Sequence, residues 1–86
     1  MIPINKGAWL YKPWRLMSHN EYYRHYQFTE RTYGVEQNLL IVRTSDKCFK
    51  VINWRVVFQG GSNMSKIELC SFRSFGEVRQ YARSIV

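Results

Sequence analysis

Apolar runs and turn chemistry alternate along the second half of the chain. The segment 39–44, LLIVRT, is β-branched and apolar, and Ser45-Asp46-Lys47 follows with residues suited to a turn. The segment 48–58, CFKVINWRVVF, reads as a long strand that Gly60-Gly61-Ser62-Asn63 interrupts. KIELCSF, 66–72, alternates well enough for a third strand. Two successive hairpins make an antiparallel meander over 39–72.

A helix follows. Ser74-Phe75-Gly76-Glu77 is a capping-box pattern: the Ser hydroxyl takes a free helix N–H while the Glu carboxylate reaches back. Phe75, Val78, Ala82 and Ile85 recur at helical spacing, so 75–85 carries one apolar stripe with Arg79 and Arg83 on another face. The first half is less regular. Ser18-His19-Asn20-Glu21 repeats the capping pattern, while YQFTERTY is rich in strand formers. The pattern predicts a short helix near 18–25 and a strand around 26–32. Pro13 biases Lys12 towards extended backbone.

The central strand has two apolar faces. Ile52, Trp54, Val56 and Phe58 project to one side; Phe49, Val51 and Val57 project to the other, with Leu39 and Ile41. One helix covers one face. The expected fold is therefore α+β: an antiparallel sheet of three or more strands, the helix 75–85 on one face and the aromatic-rich N-terminal segment on the other. A second copy of the chain or a target protein is the alternative cover. Eighty-six residues support one domain, 1–86.

Composition narrows the function classes. The chain is too rich in apolar and aromatic residues to stay disordered. Its longest apolar run, 39–42, is too short to cross a bilayer, and its start lacks a secretory apolar core, so a cytoplasmic protein is expected. In that compartment Cys48 and Cys70 stay reduced. The hairpin register also separates them, since Cys70 should lie opposite about Ile52.

His19, His25, Cys48 and Cys70 have zinc-binding side chains but no zinc-finger spacing, so neither metal nor cofactor is expected. No P-loop, nucleophile elbow or HExxH occurs, and each carboxylate has a plain local role; a non-enzymatic protein is expected. A small basic ribonuclease is the enzyme type hardest to exclude.

Thirteen Lys and Arg against six Asp and Glu give a net charge of +7. The excess lies mainly after residue 38, whereas eight of the fourteen aromatics precede it. A cationic surface favours polyanions. Arg55, Lys66, Arg73, Arg79 and Arg83 are the candidate contacts to phosphates or to an acidic protein surface. Trp14, Tyr22 and Tyr23 are the candidate stacking or interface anchors, with Tyr11 and Tyr26 as further aromatic candidates.

The β-β-β-α order and the Ser74 opening of the helix resemble the amino-terminal DNA-binding domains of some phage-type integrases, in topology alone. That resemblance implies a sheet inserted in the DNA major groove, whereas the second apolar face argues for a cover. The first expectation is a nucleic-acid-binding (DNA or RNA) accessory or regulatory protein. The alternative is a phage or mobile-element type inhibitor or adaptor that docks on a host protein handling nucleic acid.

Overall fold

The computed structural model describes residues 2–30, 34–57 and 63–86, without the side chains of 63–66. Five strands and one helix follow in order: β1 (Arg15–His19), β2 (Tyr23–Glu30), β3 (Val35–Ser45), β4 (Cys48–Val57), β5 (Asn63–Phe72) and α1 (Phe75–Ile85). The strands form one antiparallel sheet in sequence order, β1-β2-β3-β4-β5. The α+β meander read from 39–72 is present and is extended by two N-terminal strands. No helix among the described residues is long and apolar enough to cross a membrane.

Residues 18–25, expected as a short helix, are strand, turn and strand. Asn20 decides the outcome: its Oδ1 accepts the backbone N–H groups of Tyr22 at 2.8 Å and Tyr23 at 3.1 Å. That Asx turn forms in place of a helix capped by Ser18 and directs the chain back into a hairpin. Gly34, at φ 62°, leads into β3 in the left-handed region that glycine enters without a Cβ clash. Across β4 and β5, Cys70 pairs with Val51, one residue from the expected position, and both cysteines are free thiols.

Residues paired across neighbouring strands project to the same side of the sheet. One face carries Tyr26, Leu39 and Asn53 in one row, with Arg24, Ile41, Val51 and Cys70 in the next. The core forms here: Tyr26, Leu39, Ile41, Phe49 and Val51 cluster with Phe75, Val78 and Ala82 of α1. Ser74 caps the helix through its Oγ, which accepts from Glu77 N at 3.3 Å, while Glu77 Oε2 accepts from Arg73 N at 2.9 Å.

The same cluster includes Ile4, Ala8, Leu10 and Trp14. The sequence pattern assigns the N-terminal segment to the opposite face; the structure lays residues 4–14 beside the helix instead. Size explains the correction. An 11-residue helix is about 16 Å long, whereas five strands spaced about 4.8 Å apart and up to 11 residues long offer a much larger surface. The helix leaves part of that face bare, and the segment fills it. Each large side chain so buried contributes about 1.5–3 kcal/mol.

Among the described residues, the other face stays open. Its rows are Tyr23, Val42, Lys50 and Ser71; His25, Leu40, Ile52 and Leu69; and Gln27, Asn38, Trp54 and Ile67. Ile67 and Leu69 are 64% and 63% exposed. At its centre the His25 ring stacks on Trp54, with centroids 5.3 Å apart. Below them Asn38 is buried, its Oδ1 accepting from His25 Nε2 at 2.9 Å and Gln27 Nε2 at 3.1 Å.

Candidate functional site

The N-terminal segment meets α1 through polar contacts as well as packing. Trp14 turns inward after the cis Lys12–Pro13 bond, and its Nε1 donates to the Ala82 carbonyl at 3.2 Å. Its ring meets Phe28 edge-on at 4.7 Å. Arg79 Nε donates to the Trp9 carbonyl at 2.8 Å. The Arg79 guanidinium lies 5.3 Å from the ring centres of both Tyr11 and Phe75. These contacts pin the segment against the helix but do not fill the space between them.

What remains is a groove of about 470 Å³ between residues 10–14 and the outer face of α1. Lys12, Arg79 and Arg83 line it, and no acidic side chain does among the described residues. Tyr11 stands at its wall, 68% exposed. Three cations beside a flat exposed ring suit an anion that also carries a planar group.

Arg79 and Arg83 of the expected set are thus brought together, four residues apart on one helix face. Arg83 is exposed; Arg79 is half-buried and already committed at Nε. The remaining members lie elsewhere. Arg73 is exposed in the link between β5 and α1, outside the groove lining. Arg55 is exposed on β4, opposite Gln37 and the backbone of Lys66; the Lys66 side chain lies outside the described residues.

The aromatic set also divides. Trp14 is buried in the groove floor with 6% exposure, so its ring faces are packed rather than offered. Tyr22 stands in the β1–β2 turn, and Tyr23 lies half-buried on the open sheet face. Tyr11, one of the further aromatic candidates, does stand at the groove, and the residue that sequence reasoning missed is Lys12. The adjacency Tyr-Lys-Pro-Trp was the available signal: alternation across a turn exposes the first two and buries the last.

A second cleft, of about 770 Å³, lies between the arm 3–9 and the β1–β2 turn. Comparison with protein families, curated proteins and solved structures finds no match to this chain. The groove, the cleft and the open sheet face are therefore interpreted from their own chemistry.

Proposed function

We propose that the chain is a non-enzymatic nucleic-acid-binding protein whose groove between residues 10–14 and α1 takes a single strand. The observation that carries this reading is the groove lining: Lys12, Arg79 and Arg83 with no acidic side chain among the described residues, beside exposed Tyr11. Phosphates lie against the cations, and an unpaired base stacks on Tyr11. A duplex offers no free base face, so the single strand is the better fit. Arg55 and Arg73 lie outside the groove lining.

Salt dependence tests it. Three phosphate contacts on a single strand give a slope of log K against log salt of about −2. Fluorescence anisotropy with a labelled single-stranded oligonucleotide should then show about a 20-fold loss of affinity between 50 and 200 mM salt. Lys12→Ala with Arg83→Ala should reduce the slope to about −0.7. Absence of binding at low salt, or an unchanged slope in the double variant, sinks the proposal.

The open sheet face supports a second reading, in which a protein is the partner. Ile67 and Leu69 are aliphatic and more than half exposed, beside the half-buried Ile52 and Trp54. Charge-poor apolar surface of this kind suits the core of a protein interface better than it suits phosphates. The inhibitor or adaptor role belongs to this reading. Loss of a defined protein partner by Ile67→Ser with Leu69→Ser, with oligonucleotide affinity intact, would separate it from the groove.

A further inference from the structure

Arg24 is a buried charge with two of its three nitrogens unpartnered among the described residues. It sits on β2 with 5% exposure, and its Nη2 donates to the Asn5 carbonyl at 2.8 Å. Its Nε and Nη1 are buried and have no hydrogen-bond partner among the described residues. An arginine carries five N–H donors and does not deprotonate, so most of this cation's donors are unanswered. Buried donors without acceptors destabilise a fold, more so where they are charged. A fold keeps such a group only against that cost.

Arg24 is among the residues that line the cleft between the N-terminal arm and the β1–β2 turn. Lys6, Trp9, His19 and Glu21 line it as well. Trp9 covers the cation, its ring centre 4.6 Å from the guanidinium carbon, and meets His19 edge-on at 6.4 Å. Trp9 is itself 41% exposed, so only part of its surface is packed. A cation–π contact at an exposed site offsets less than the unmet donors beneath it cost.

We infer that this cleft binds a phosphate monoester carried on a nucleoside, with the phosphate on Arg24 and the base against Trp9. Tilting the Trp9 side chain gives the phosphate access to Arg24 Nε and Nη1. Lys6 and His19, both exposed at the rim, supply further donors. Glu21 accepts from a ribose hydroxyl or an exocyclic amine, which a bare phosphate lacks. The monoester belongs either to a free nucleotide or to the phosphorylated end of a strand. Residues 9–11 separate this cleft from the groove, so the site stands whether or not the groove takes a strand.

Nitrogen-15 NMR on the full chain tests the inference by following the Arg24 Nε–H and Trp9 indole signals. Inorganic phosphate should shift both, while chloride at matched ionic strength leaves them in place. Adenosine monophosphate should act at roughly tenfold lower concentration than phosphate, because stacking adds about 1–3 kcal/mol. Lys6→Ala with His19→Ala alters only exposed side chains and should weaken phosphate binding about tenfold.

A strand-end origin is read in the Lys12→Ala, Arg83→Ala background, where the groove is weakened. There a 5′-phosphorylated oligonucleotide should displace adenosine monophosphate and its unphosphorylated twin should not. If the nucleotide binds and neither oligonucleotide competes, the ligand is a free nucleotide. Equal shifts from chloride and phosphate, or no shift of Arg24 Nε–H with any phosphate compound, overturn the site.

Discussion

Replacing Trp14 with Phe distinguishes a structural indole from a stacking platform. Trp14 is buried at 6% exposure, donates to the Ala82 carbonyl and meets Phe28 edge-on. Phenylalanine keeps an aromatic ring but removes the N–H donor and part of the ring system. The lost hydrogen bond costs about 1 kcal/mol and the smaller ring leaves a void worth about 1–2 kcal/mol. The total, about 2–3 kcal/mol, is large for a chain of this length, whose whole stability is about 4–13 kcal/mol. Calorimetry should therefore show Tm falling by about 10–20 °C. In the folded protein, oligonucleotide affinity should stay within about twofold, because the indole faces are packed. Tyr11→Ala should behave oppositely, with Tm nearly unchanged and affinity lower by about 1–3 kcal/mol. A Trp14→Phe variant of normal Tm and lost affinity would show that the indole serves the ligand, and would undo the packing argument.

Two further substitutions probe the two faces of the sheet. Ile67→Ser with Leu69→Ser should leave stability within about 1 kcal/mol by urea titration, since both side chains are largely exposed, and should reduce binding of a hydrophobic dye. On the covered face, burial raises the pKa of Tyr81 above the usual 10.0, and Cys70 and Glu68 act in the same direction. The folded state therefore keeps the phenol protonated where the unfolded chain releases it. Stability is level below about pH 10 and falls as pH rises through that value. Tyr81→Phe should make the alkaline decline shallower in urea titrations at pH 9–11, while Tyr26, also raised by burial, retains part of it. An equally steep decline in the variant would contradict the assigned cause.

The β3–β4–β5 meander and α1 were legible because their signals agree locally. Alternation, turn residues and the Ser74–Glu77 cap each point to the same elements. The N-terminal half was not legible for the same reason in reverse. Ser18–Glu21 satisfies a helix cap in spacing, but Asn20 can hold a turn equally well, and only pairing of β2 with β3 decides between them. Face assignment failed differently. Both faces of β4 are apolar, and the sequence does not say how much area a short helix leaves uncovered. Arg79 and Arg83 were legible as a pair from their spacing. Tyr11 and Lys12 belong to the same groove only because residues 4–14 return to α1, a contact between chain segments nearly seventy residues apart.

The arginines explain why the net charge is a better guide to the partner than the individual cations are. Arg24 donates to the Asn5 carbonyl, Arg43 to the carbonyls of Pro3 and Asp46, and Arg79 to that of Trp9. All three hold main chain, and the first and last also lie over aromatic rings of the arm. Had carboxylates held these arginines, the same packing would have cancelled their charge. Neutral carbonyls leave each charge in place, so groups that fix the arm still contribute to the positive field around it. The surface around the N-terminal segment therefore presents fixed cations at Arg24 and Arg79 and exposed ones at Lys6, Lys12 and Arg83. Fixed cations lose little freedom when an anion binds, whereas the exposed ones adjust to where it lies. Binding strength should accordingly rest on Arg24 and Arg79, and salt sensitivity on Lys12 and Arg83.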